Sequence, residues 1–139
     1  MNYIATLLPV FVLVALTLGL LVWQARARIA VLRSGQVKIS QIALGEGAWP
    51  VQAAQINRAY QNQLELPVLF YVLVALTLVT RQENALFVAM EWLFVASRLA
   101  HACVHVTSNH VVRRFQVFTA GFCVLAAMWA VFAARVALS

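Results

Sequence analysis

The sequence is poor in charge and almost empty of negative charge. Its 139 residues hold no Asp and four Glu against nine Arg and one Lys; 10% are charged and 64% are hydrophobic. A soluble domain carries about 25% charged residues, so this balance marks an integral membrane protein. Residues 1–25 contain no charge at all. That removes the basic n-region of a secretory signal and leaves a first span that stays in the membrane. A Lys/Arg-rich tract is missing too. The basic residues sit at the ends of apolar runs, where they orient a chain in a bilayer rather than grip nucleic acid. The only cysteines, Cys103 and Cys123, fall inside apolar segments without a metal or redox spacing, and read as small buried apolar residues.

What is present is apolar length. A span needs about 20 apolar residues. "YIATLLPVFVLVALTLGLLVW" supplies span one, about 3–25, and "FQVFTAGFCVLAAMWAVFAA" supplies span four, about 115–134. Two interrupted segments give span two, about 54–80, and span three, about 85–106, with "TRQEN" as the turn between them. The connection 26–53 reads as mostly loop. The expectation is an all-α integral membrane four-helix bundle forming one domain over 1–139. Arg26, Arg28, Arg33 and Lys38 follow span one, and Arg113 and Arg114 separate spans three and four. The positive-inside rule then places loops one and three in the cytoplasm and both termini outside, in a bacterial inner membrane.

Polar residues inside spans two and three are not scattered. Arg58, Gln61, Asn62 and Glu65 follow i, i+3, i+4, i+7, and Glu91, Arg98, His101 and His105 are spaced 7, 3 and 4. Each set occupies one stripe of its helix. The inferred topology brings both stripes, the start of span four and the end of span one to one leaflet. Such a convergence of cations suits a hydrophilic anion. Taken singly, Arg58, Arg98 and Arg114 can snorkel to headgroups, and Glu65 can pair with Arg58 or Arg98 to join helices. Ionisable residues within spans nevertheless default to functional sites. Glu91 lies deeper, and a structural pairing or subunit contact is expected for it. His101 and His105 at i, i+4 have no third ligand spaced to help, so no metal site is expected.

At these residues the sequence resembles the MAPEG family, the membrane-associated proteins of eicosanoid and glutathione metabolism. The likeness rests on four spans in about 140 residues, the basic end of span one ("QARAR"), and the signature Arg58-Ala59-x-x-Asn62-x-x-Glu65 followed by Pro67 and Phe70. "RLAHACVHVTSNHVVRRF" resembles the family's end of span three and its basic turn, and "NQLELPVLFY" is typical of bacterial members. The resemblance implies a homotrimer with glutathione held between subunits. Asn62 and Glu65 would hold its polar groups, Arg58 and Arg98 would support the cleft, and His101 and His105 would add polar contacts. Arg26 would come from the end of the first helix. Arg114, or its neighbour Arg113, would stabilise the thiolate, which attacks a lipophilic substrate from the bilayer. His105 stands where several eicosanoid-forming members carry Tyr, and Phe115 where better-known enzymes carry Ser.

The resemblance therefore implies a glutathione-dependent membrane transferase or peroxidase. The same family includes a non-enzymatic lipid-binding member, so a lipid- or partner-binding protein on this scaffold is the alternative. A small four-helix drug/proton exporter is a third possibility of similar size. Such a protein needs a carboxylate in the middle of its first helix, and span one has none.

Overall fold

The computed structural model describes residues 3–43 and 48–138. They form six helices, α1 (Tyr3–Arg33), α2 (Ile39–Ile42), α3 (Val51–Gln61), α4 (Leu66–Val79), α5 (Ala85–Val106) and α6 (Val111–Ala137), with a 3₁₀ turn at Asn62–Leu64. There is no strand among the described residues. Four segments are long and apolar enough to cross a membrane: α1, the α3–α4 unit Val51–Val79, α5 and α6. The chain is thus a multi-pass, all-helical membrane protein.

Three boundaries differ from expectation. First, α1 continues to Arg33 rather than ending near residue 25. The stretch "QARARIAVLR" is rich in good helix formers and has no breaker before Gly35. Gly35 then takes φ 72, the left-handed conformation that ends a helix. The expected loop 26–53 is therefore largely the end of α1, the short α2 and the start of α3; positions 44–47 lie outside the described residues. Second, α6 begins at Val111, capped by His110, whose Nδ1 accepts from the Arg113 amide. Third, span two is two helices. Pro67 lies at the start of α4. It lacks an amide hydrogen and its ring collides with the carbonyl four residues back, so α3 stops at Gln61 and Glu65 leaves helical geometry at φ −99, ψ −102. Only span three falls where expected, with the Asn84 side chain accepting from the Phe87 amide at 2.9 Å as its cap.

Helix α5 is the hub, packing on α6, α1 and α3. One half of the bundle is filled by Leu13, Phe70, Leu73, Val74, Phe87, Phe94, Val95, Leu125, Met128 and Phe132. Phe70 and Phe94 stack with ring centroids 4.8 Å apart, which locks α4 against α5. The other half has a smaller apolar cluster, Leu20, Ala59 and Ala102. There α1 is tied to α3 by a buried hydrogen bond from Gln24 Nε2 to Asn57 Oδ1. Cys103 and Cys123 are exposed, not buried as expected. Their helix faces turn outwards, and lipid tails are as apolar as the side chains they would meet inside.

The α5–α6 contact is close enough to require a glycine. A Cβ at Gly121 would meet Ser97 Oγ at 2.5 Å, and that hydroxyl donates to the Phe94 carbonyl at 2.6 Å. Gly121→Ala should therefore destabilise the protein by about 1–2 kcal/mol, through overpacking or loss of this hydrogen bond. The measurement is the thermal unfolding midpoint in detergent. Ser97→Ala added to Gly121→Ala should recover most of the loss, because the nearest remaining contact is at 3.4 Å.

Candidate functional site

The break in span two shapes the site. An ended helix leaves its last carbonyl groups without partners four residues on. In a membrane such groups must be satisfied by the protein itself. Arg98, fully buried on α5, donates from Nη2 to the Asn62 carbonyl at 3.2 Å. The same nitrogen lies 3.4 Å from His101 Nδ1. Arginine only donates, so His101 accepts at Nδ1 and carries its ring hydrogen on Nε2. The Arg98 guanidinium also lies over the Phe118 ring, 5.8 Å from its centroid, and His101 is 5.7 Å from the same ring. One buried cation thus connects α5, the interrupted span and α6.

Above it opens a cleft of about 270 Å³, lined by Arg58, Asn62, His101, His105, Val111, Arg114, Phe115 and Phe118. The two sequence stripes do converge: Asn62 Nδ2 is 3.4 Å from His105 Nε2. Asn62 Nδ2 also donates to the Arg58 carbonyl at 2.8 Å. Both amide hydrogens are therefore engaged within the protein, which leaves Oδ1 as the atom able to accept from a ligand. Arg114 is set by the turn before α6. Asn109 takes φ 47, its amide donates to the Val104 carbonyl at 2.8 Å, and its Oδ1 accepts from Arg114 Nη1 at 2.7 Å. Two guanidinium groups, Arg58 and Arg114, line the cleft, and among the described residues no carboxylate does. The arrangement favours an anion with hydrogen-bonding groups at one end and apolar surface at the other.

The remaining expected residues lie elsewhere. Glu65 is exposed at the helix break and is not among the residues that line the cleft, although its charge acts on Arg98 behind the wall. Gln61 is exposed as well. Arg98 lies behind the cleft wall. Arg113 is exposed and only Arg114 lines the cleft, a difference that follows from one helical step of about 100°. Within one chain Arg26 borders a different cavity, with Trp23, Gln36 and Gln52. Glu91 is fully enclosed in its own bundle, and neither carboxylate oxygen has a hydrogen-bond partner. It makes neither the expected pairing nor a surface available to another subunit. Among the described residues no three His, Cys, Asp or Glu are grouped to hold a metal ion.

Sequence reasoning singled out Arg114 and Phe115 but missed Val111 and Phe118, and with them the α6 wall as a face. Val111, Arg114, Phe115 and Phe118 follow i, i+3, i+4, i+7, the same periodicity that revealed the other two stripes. Three of the four are apolar, so they blend into the run of span four. The Gln24–Asn57 pair was also missed, since two isolated amides in separate segments carry no spacing signal.

Fold and cleft together define a four-span membrane protein with a cationic pocket at one end of its bundle. Residues 6–134 match the MAPEG family, and the chain belongs to that family. No curated protein and no solved structure gives a significant match.

The Asn109 turn separates backbone from side-chain effects. Asn109→Gly keeps a residue at ease at positive φ and removes only the Arg114 contact, so its unfolding midpoint should stay close to that of the parent. Asn109→Val forces a β-branched residue into the left-handed region and should lose about 1–2 kcal/mol. Thermal unfolding of the two purified variants side by side checks this.

Proposed function

We propose that the protein is a glutathione-dependent transferase or peroxidase acting on lipophilic electrophiles from the bilayer. The observation that carries this reading is the cleft in which Arg58 and Arg114 face Asn62, His101 and His105, in a chain of the MAPEG family. In this reading glutathione's carboxylates pair with Arg58 and its amide hydrogens meet Asn62 Oδ1, while His101 and His105 add polar contacts. Arg98 acts as a positioning residue through the Asn62 carbonyl. Glu65 reaches the ligand at the rim, where it would hold the glutathione amino group. Arg26 and Arg113 stand outside the cleft of a single chain. In the homotrimer proposed here, the Arg26 side chain is available to a neighbour's site.

Arg114 is the proposed catalytic residue. A thiolate is the nucleophile, and a nearby cation favours the thiolate over the thiol. The proton leaves to solvent, and the sulfur lone pair forms a bond to an electrophilic carbon or peroxidic oxygen. The displaced group departs with its bonding pair, or an added centre takes up a proton. Phe115 and Phe118 offer the apolar side of the cleft to the lipophile. Holding both reactants removes the diffusive encounter. The proposed orientation has this end of the bundle in the cytoplasm, from which glutathione enters.

One observation favours a second reading, a lipid- or partner-binding protein without turnover. Val111, Phe115 and Phe118 make a large part of the cleft wall apolar. The ultraviolet absorbance of a thiolate separates the two readings. Equilibrium dialysis of detergent-purified protein with glutathione should show saturable binding at millimolar concentration or below, together with a thiolate difference band. Arg114→Ala should abolish the band. Glu65→Gln should weaken binding about fivefold or more, the effect of losing one charge-assisted hydrogen bond. Absence of saturable binding would sink the glutathione reading, and binding without the band would favour the second.

A further inference from the structure

Glu91 is a buried ionisable side chain that the cleft does not use. It is fully enclosed on α5, and neither carboxyl oxygen has a hydrogen-bond partner. No charge balances it. Helix α1 has no ionisable residue between Tyr3 and Arg26, α4 has only Tyr71, and α6 has only Cys123 between Arg114 and Arg135. Helix α3 brings Arg58 and Tyr60 to the other end of the bundle, beside the cleft and the Leu20 cluster. On α5 itself the nearest charged residue is Arg98, two turns or about 10 Å along the axis. A bare carboxylate in such a place is costly. The neutral acid avoids that cost and turns one oxygen into an O–H donor.

Helix α1 supplies an acceptor at the same depth. Pro9, buried inside α1, has no amide hydrogen, so the Ala5 carbonyl lacks its intrahelical donor. As first and third spans, α1 and α5 run the same way. Leu13 packs in one cluster with Val95; Pro9 lies four residues before the first and Glu91 four before the second, so the two are level. Helical side chains lean towards the N-terminus of their helix, which carries the Glu91 carboxyl towards the level of Ala5 and Thr6. Thr6 is fully buried on the same stripe of α1 as Pro9 and Leu13, and its hydroxyl oxygen has no partner among the described residues. Glu91 borders neither the cleft, nor the cavity at Arg26, nor an apolar groove between Leu16 and Leu99. An enclosed group away from these spaces has room for the smallest ligand, a proton.

We propose that Glu91 is an intramembrane proton-binding site, in which the carboxyl carries a proton and donates through it to the Ala5 carbonyl that Pro9 leaves free. The Thr6 hydroxyl serves the second carboxyl oxygen. Folding then takes up one proton, and losing that proton breaks the link between α1 and α5 from within. The site shares no residue with the cleft and works without glutathione, so the two readings stand or fall separately.

Infrared spectroscopy of the purified full chain, in a detergent without ester groups, tests it. The chain has no Asp and four Glu, so few carboxyls compete. At about pH 7, above the ordinary glutamate range, wild type should show the C=O stretch of a protonated carboxyl. Glu91→Gln should remove that band. Pro9→Ala returns an amide donor to the Ala5 carbonyl and should move the band to higher frequency, as an acid does on losing its acceptor. Reversible unfolding gives a second readout. With one proton taken up on folding, the wild-type unfolding constant should rise about tenfold more per pH unit than that of Glu91→Gln between about pH 6 and pH 7. Glu91→Met, of similar length and without an ionisable group, replaces the amide variant if that one misfolds. A wild type without the band overturns the proposal, as does a band that survives the loss of Glu91. Equal pH slopes in wild type and variant overturn it too, and so does a band that stays in place in folded Pro9→Ala.

Discussion

The structure depends on one buried guanidinium. Pro67 interrupts span two inside the bundle, and an interruption there exposes peptide groups where water is scarce. Arg98 answers by donating to the Asn62 carbonyl. Its own placement depends on α5 being a single uninterrupted helix against which α1, α3 and α6 pack. The contact also accounts for the neighbouring chemistry. It places Asn62 beside His105, sets the hydrogen-bonding state of His101, and puts a positive charge behind the cleft.

The two halves of the bundle divide the work. The half with Phe70, Phe94, Leu125 and Met128 is densely apolar and supplies rigid packing. The other half has only a small apolar cluster and is joined by polar contacts, Gln24 to Asn57 and Arg98 to the Asn62 carbonyl. A site needs polar groups held in place, and polar groups in a membrane need partners. The cleft therefore lies where hydrogen bonds, rather than tight apolar packing, connect the helices. Ionisable groups are spaced along the same axis. Arg58 and Arg114 line the cleft, while Glu91 is two turns deeper than Arg98, about 10 Å away along α5.

Much of this was legible in the sequence. Apolar length revealed the four spans, because crossing a bilayer sets a minimum that composition alone can meet. Helical periodicity revealed the stripes of Arg58 with Asn62 and of Arg98 with His101 and His105, and the structure brings those residues together. The rule could not foresee the break at Glu65, since periodicity presumes an unbroken helix and the chain leaves helical geometry there. It was also silent on Phe118, whose apolar character matched everything around it. The long reach of α1 was hidden by its basic residues, which suggested a loop although they favour helix.

The sequence by itself determined the membrane class, the family and which residues could share a helix face, since these follow from local composition and a fixed helical repeat. Only the tertiary structure decided that Arg114 rather than Arg113 enters the cleft, that Glu65 and Arg26 lie outside it within one chain, and that Arg98 supports it from behind. Those outcomes depend on where one helix breaks and on which faces meet across the bundle. Neither is carried by the spacing within a single segment.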